Sequence, residues 1–373
     1  MAAVVDVLSQ SPVAGLAIVA GLLGLAAGWL IERTHFCTMG AISDAYLFGS
    51  WRRLRAWGLA IATALVLVQL MAASGLVPLA EAFYLAPRLE PVGLFAGGLL
   101  FGIGMVLAGG CGSRNLVRLG AGSLKALVVV LVLGLAAFAT VGGILVLPAE
   151  ALRGLASWPL DQPTQSLGAF VARSGAVSAA AADLALGLVL GCGLFAFVFK
   201  DRAFRRNPAD IALGLGLGTL VAMGFLVTGR LFADPFEPVA LASLSYVAPT
   251  SRALFWTMTG NGLWPGFGAA LAIGTILGAA FSAALGGRFR VETFSSRDDM
   301  IRHVAGGLLM GFGGILALGC TVGQGMSGLS TLALGSFVAM SGIVAGAVLA
   351  LRRLERGGWR AALGLGAAET GRA

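Results

Sequence analysis

A chain of 373 residues that is 58% hydrophobic and only 11% charged, with a mean hydropathy of +0.92, cannot close a water-soluble surface, for which roughly 25% charged residues are usual. Its formal charge of +8 would suit nucleic acid, but the basic residues fall where membrane topology places them, so no nucleic-acid partner is expected. What remains is an all-α integral membrane protein in a lipid bilayer.

A helix needs about 20 apolar residues to cross the hydrocarbon core. Spans are predicted near residues 12–31, 56–73, 92–111, 124–147, 183–200, 210–229, 264–285, 303–320 and 328–351, about nine in all. The first is preceded by Asp6 rather than a basic stretch, and no small-residue cleavage site is obvious, so it reads as a retained helix and not a signal peptide. The stretch TMGAISDAYLFGS after Cys37, and the stretch from Asp234 to Gly262 with Pro235, Pro238 and Pro249, read as short re-entrant helices or as amphipathic surface helices. Residues 148–182 make a long outer connection, and 352–373 form an Arg-rich tail. Neither has an assigned role.

One set of connections holds 20 of the 25 Lys and Arg residues, among them Arg33, Arg52, Arg53, Arg55, Arg202, Arg205 and Arg206. The other set holds only Arg88, Arg153, Arg173, Arg230 and Arg252. Basic loops stay on the cytoplasmic side, so the N-terminus is expected outside and the C-terminus inside.

Within this frame AGGLLFGIGMVLAGGC, ending at Cys111, recurs as AGGLLMGFGGILALGC, ending at Cys320, with 11 of 16 positions identical at a spacing of 209 residues. The first copy runs inward and the second outward, so the repeat is inverted. The expected halves are 12–147 and 210–351, joined by a linker helix at 183–200. A fainter match pairs GWLIERTHFC (28–37) with GFLVTGRLFA (224–233), which mirrors Cys37 onto Ala233. Inverted repeats usually mean a transporter with its substrate site where the halves meet.

Cys37, Cys111 and Cys320 each end an apolar helix beside glycine or a small polar residue, whereas Cys192 lies within the linker helix, where core packing is expected. No CxxC pair occurs, and the chain has only His35 and His303, so no metal site and no cofactor are expected. Resting disulfides are unattractive at mid-membrane, and nucleophilic chemistry would have only His35 as a base. Neutral buried thiols suit another task. They are weak, polarizable donors, better matched to a soft sulfur atom than a hydroxyl is. Gly110, Gly112, Gly319 and Gly323 would expose backbone N–H groups to an anion at broken helix ends. Arg114 could draw anions to the inner mouth, and Thr321, Gln324 and Ser327 are polar lining candidates, with helix capping as an alternative for Thr321 and Ser327.

The motifs FCTMGA, GGCGSRN and GCTVGQGMSG, with the duplicated AGGLLxGxG helices, resemble the YeeE/YedE family of sulfur-compound transporters of the bacterial inner membrane, which includes thiosulfate importers. The resemblance implies an hourglass-shaped pseudo-symmetric fold, and a narrow path in which Cys37, Cys111 and Cys320 pass thiosulfate or a related sulfur anion inward by transient S–H···S contacts. It also implies a small cytoplasmic sulfur-carrier partner resembling TusA, no such domain being fused here. The chain is therefore read as a transporter and not an enzyme; the alternative is a membrane thiol-redox or sulfurtransferase enzyme that forms a cysteine persulfide. No acidic residue falls convincingly at mid-membrane (Glu32, Asp183, Asp201 and Asp210 lie at predicted ends), which favours a channel-like route over a proton-coupled one.

Overall fold

The structure, a computed structural model, describes residues 12–175, 177–232, 240–260 and 264–356. The long helices are α1 (Pro12–Thr34), α3 (Arg52–Ala73), α4 (Pro91–Leu107), α6 (Leu124–Gly142), α9 (Ala179–Phe199), α11 (Pro208–Leu226, continued by a π-helical turn Val227–Leu231), α13 (Phe267–Leu285), α14 (Arg297–Leu316) and α16 (Leu334–Glu355). Between them lie short helices: α2 (Thr38–Phe48), α5 (Gly112–Gly120), α7 (Val146–Gly154), α8 (Leu167–Val171), α10 (Arg202–Arg205), α12 (Val247–Thr259) and α15 (321–330). Eight helical segments among the described residues are long and apolar enough to cross a bilayer. The remaining long helix, α14, the partner of α4 in the repeat, opens on Arg297, Asp298, Asp299, Arg302 and His303, so only its later turns are continuously apolar.

The packing has two-fold symmetry written in its glycines. Neighbouring membrane helices gain nothing from excluding water and associate through close van der Waals contact, which small residues permit. A Cβ at Gly97 would strike the carbonyl of Gly313, and one at Gly313 the carbonyl of Gly97; Gly104 and Gly306 oppose each other in the same way. The repeat spacing of 209 maps the first pair onto the second, so the pseudo-axis passes between α4 and α14. Away from the axis the register also repeats. Gly98 and Gly102 of α4 abut Ala339 and Ile343 of α16, while their equivalents Gly307 and Gly311 of α14 abut Val129 and Leu133 of α6. Likewise α1 packs on α13 as α11 packs on α3, and α2 on α3 and α16 as α12 on α13 and α6. With α9 as one odd crossing between the halves, equivalent helices run in opposite senses through the membrane.

The segment 148–182, a long connection with no role assigned from sequence, is tied to both halves. Trp158–Pro159 pairs antiparallel with Arg88–Leu89, and Gln165 accepts the Gly335 N–H at 3.1 Å while its own carbonyl takes Leu334 N–H, strapping the two halves together. Cys192 is not a core residue. α9 leans on α3 through Gly187 against Gln69 and Gly191 against Val66, and the Cys192 side chain is exposed on the other side. The α16 helix runs to Glu355, four residues into the expected tail, and 357–373 lie outside the described residues.

Replacing Gly102 or Gly311 by leucine is expected to force the paired helices apart and to cost about 1–3 kcal/mol, a typical overpacking penalty. This would be read as a lowered melting temperature in detergent. Gly142→Ala, where nothing lies within 4 Å of the added carbon, is expected to leave melting almost unchanged.

Candidate functional site

The three cysteines Cys37, Cys111 and Cys320 occupy one local construction used three times. Each preceding helix ends on a left-handed residue two positions before the cysteine: His35 (φ 52), Gly109 (φ 66) and Leu318 (φ 56). The residue after it donates its N–H five residues back, Phe36 to Ile31 O at 3.2 Å, Gly110 to Met105 O at 2.9 Å and Gly319 to Gly314 O at 2.8 Å, the bond that closes a Schellman helix end. Glycine adopts this backbone freely; histidine and leucine do so at a cost, and such strain concentrates where surroundings enforce it.

A new helix starts at once. Cys37 is the cap residue of α2 and Cys111 that of α5, and Cys320 directly precedes α15. The first intrahelical bonds run from Ala41 to Cys37 O, Asn115 to Cys111 O and Gln324 to Cys320 O at 2.9, 3.0 and 2.7 Å. The three N–H groups between each cysteine and that bond therefore have no acceptor within their own helix. Cys320 Sγ accepts one of them, Gly323 N–H, at 3.4 Å. The N–H groups of Gly40 and Arg114 face the Cys37 and Cys111 sulfurs at longer range without closing a cap bond.

These helix starts converge. The Cys37 and Cys111 side chains are direct neighbours, Cys111 contacts Thr321 and has Ser113 Oγ at 3.3 Å, and Cys320 lies within electrostatic range of Cys111. All three thiols are buried, at 8%, 1% and 0% exposure. A fourth short helix joins them: α12 begins after Tyr246, whose backbone meets Cys320 and whose Cβ lies beside Gly112. Since α12 is the packing equivalent of α2, the position matching Cys37 is Tyr246. Ala233, onto which the fainter sequence match mirrored it, lies outside the described residues.

Two amides hold the breaks open. Asn115 Nδ2 donates to Gly110 O and Cys111 O at 2.9 and 3.1 Å, and its repeat equivalent Gln324 donates Nε2 to Ala317 O at 2.7 Å. Gln324, expected as polar lining, thus serves as a brace. Ser327 also turns to the backbone, donating to Leu244 O at 2.8 Å.

A cavity of about 760 Å³ reaches Ser245 and Gly319, the residue before Cys320, with Glu150, Arg153 and Arg252 on its walls. Arg114, half-buried on α5, has Nη2 3.3 Å from His35 Nδ1, and Arg53 lies against Gly40 on α2. Glu32 is also here, buried at 3% and held by Arg288 at 2.7 and 2.9 Å and by Ser282 at 2.6 Å, which clamps α1 to α13. Of the residues singled out from sequence, Cys37, Cys111, Cys320, Gly112 and Thr321 thus lie close together, Gly319 borders the cavity and Arg114 packs beside His35, whereas Gln324 and Ser327 bond to backbone carbonyls. Tyr84, Tyr246, Thr38 and Asn115 were not singled out. Two signals were available: Asn115 is the 209-residue mate of Gln324, and the chain has only three tyrosines, two of which are buried here.

A family model described as sulphur transport matches residues 33–349. The chain belongs to that family. It is 28% identical over 336 residues to the thiosulfate transporter TsuA of Spirochaeta thermophila, covering 85% of this chain and 93% of the relative. It is 25% identical over 331 residues to the thiosulfate transporter TsuA of Escherichia coli K12, covering 83% and 86%. The family match spans both halves of the repeat and all three buried cysteines.

Asn115→Ala and Gln324→Ala should each leave a buried carbonyl unpaired and cost about 1–3 kcal/mol of stability. The exposed Cys192→Ser should stay within about 0.5 kcal/mol of wild type. Melting of the purified proteins in detergent separates the three.

Proposed function

We propose that this protein imports thiosulfate, or a related sulfur anion, across the bacterial inner membrane along a narrow path lined by Cys37, Cys111 and Cys320. The observation that carries the reading is the convergence of three buried cysteines, each at the start of a short helix, between a cavity and a basic cluster. The names of both relatives, thiosulfate transporters, support the substrate.

An anion leaving water loses hydration worth on the order of tens of kcal/mol in an apolar medium, and the path must replace it without holding on. Helix-start N–H groups from Gly40, Gly112, Ser113, Arg114 and Gly323 offer partial positive charge at low cost in full charges. Thiols offer weak S–H donors to the terminal sulfur, so each contact is easily exchanged for the next. Arg153 and Arg252 gather the anion outside, Cys320 receives it below Gly319, Cys111 and then Cys37 pass it on, and Arg114 with Arg53 draws it to the inner mouth. The N-terminus is periplasmic and the C-terminus cytoplasmic by the distribution of basic residues. A small TusA-like sulfur carrier is the acceptor suited to that basic inner face.

Cys111→Ala and Cys320→Ala are expected to abolish growth on thiosulfate as sole sulfur source, and Cys192→Ala to leave it nearly intact. Equal tolerance at all four cysteines would remove the relay. Mass spectrometry after exposure to thiosulfate should find the wild-type thiols unmodified; a stable sulfur adduct on most molecules would favour a persulfide-forming enzyme instead.

A further inference from the structure

Three buried hydroxyls beside the thiols are unused by the relay. Tyr84, Thr321 and Thr38 are 3%, 0% and 3% exposed, and none of their side-chain oxygens has an oxygen or nitrogen partner. Buried polar groups in folded proteins are nearly always paired, so a hydroxyl with no partner, or with only a weak thiol contact as at Thr321, leaves room for a partner that comes and goes. The Tyr84 hydroxyl sits beside Gly323, three residues after Cys320; the Thr321 hydroxyl is in contact with the Cys111 thiol; and Thr38 directly follows Cys37 in the chain.

The usual outlets for such groups are closed. Threonines in membrane helices return their hydroxyl protons to the carbonyl four residues back, as Thr63, Thr140 and Thr275 do at 2.8, 2.7 and 2.8 Å. Thr38 and Thr321 are first residues of their helices, and four residues back the chain is still in the preceding helix end. The other buried phenol is committed. Thr275 gives its single proton to Leu271 O, so the 3.3 Å contact between Thr275 Oγ1 and Tyr246 is a bond that Tyr246 donates. Tyr84 has no such neighbour. It is held in place from outside by the 83–85 turn, next to the strap in which Gln165 N–H donates to Leu85 O at 3.3 Å.

We infer that Tyr84, Thr321 and Thr38 form a hydroxyl rail that donates to the oxygen end of the transported anion while the thiols hold its sulfur end. This rests on the transport reading above. Thiosulfate carries one soft terminal sulfur and three oxygens. An O–H donor to an anionic oxygen is strong and short, whereas S–H is a weak donor suited to sulfur, so the two rails sort a molecule that has both ends from one that has either alone. The Cys–Thr pairs at 37–38 and 320–321 place one member of each rail on adjacent residues, and Thr321 fills the place at Cys111, where the following residue is Gly112.

The test is uptake of radiolabelled thiosulfate by full-length protein in proteoliposomes. Thr321→Val and Thr38→Val keep side-chain shape and lose the hydroxyl; Thr321→Ser and Thr38→Ser keep it. The rail predicts that each Val variant, and Tyr84→Phe, raises KM for thiosulfate roughly ten-fold or more, the effect of losing one hydrogen bond to a charged group, while the Ser variants stay near wild type. Val and Phe variants that transport like wild type, or Ser variants that fail as badly as Val, would overturn it while leaving the relay standing. Wild-type protein that moves no thiosulfate would overturn the transport reading and the rail together. Should Tyr84→Phe not fold, the two Thr positions decide the matter alone.

Discussion

A helix that stops inside a membrane leaves its first N–H groups without acceptors, and this protein does so at Cys37, Cys111 and Cys320 within one small volume. Hydrocarbon cannot satisfy those groups, so the break is tolerable only where protein or a polar passage surrounds it. Much of the surrounding architecture can be read as the means of holding the breaks. The Schellman ends stop α1, α4 and α14 cleanly, Asn115 and Gln324 brace the two symmetric gaps, and the glycine faces bring α4 and α14 close enough for the new helix starts to meet.

The symmetry is close in the frame and loose in the contents. Gly109 corresponds to Leu318, Asn115 to Gln324 and Gly112 to Thr321, so backbone and braces are preserved while the polar lining is not. The cap residue of α2 is cysteine and that of its counterpart α12 is tyrosine. A two-fold frame with unequal lining gives the two ends of the thiol cluster different chemistry. The cavity reaches Ser245 and Gly319, whereas His35, Arg114 and Arg53 gather near the start of α2.

The parts of this arrangement legible in the sequence were those encoded locally or by the long repeat. The matching segments ending at Cys111 and Cys320 already contained the α4–α14 axis, because the residues that pack there are the repeated glycines themselves. Among the described residues hydropathy placed the nine long helices to within about six residues, and α14 begins six residues earlier than its apolar stretch suggested because its first turns carry Arg297, Asp298, Asp299 and Arg302. Placement that depends on distant pairing was not legible. Tyr84 reaches Cys320 only because the 83–90 segment is tied to 158–165, and nothing near Tyr84 in sequence announces that strap. The match that aligned Cys37 with Ala233 failed to find Tyr246 because the second half has extra chain before its short helix. Cys192 looked like core from composition, but a linker helix packed on one side exposes half its residues, and apolar character cannot distinguish lipid from protein as the neighbour.

The central claim is that the anion's terminal sulfur travels from thiol to thiol, and it can be located directly. Crystals of the protein soaked with selenosulfate, in which selenium replaces that sulfur, would give an anomalous peak at the selenium edge. The account predicts peaks in contact with the sulfurs of Cys320, Cys111 or Cys37, with the oxygen end turned toward Tyr84, Thr321 or Thr38. Peaks confined to the arginines of the outer cavity, or to sites away from all three cysteines, in a protein that still carries thiosulfate, would contradict it.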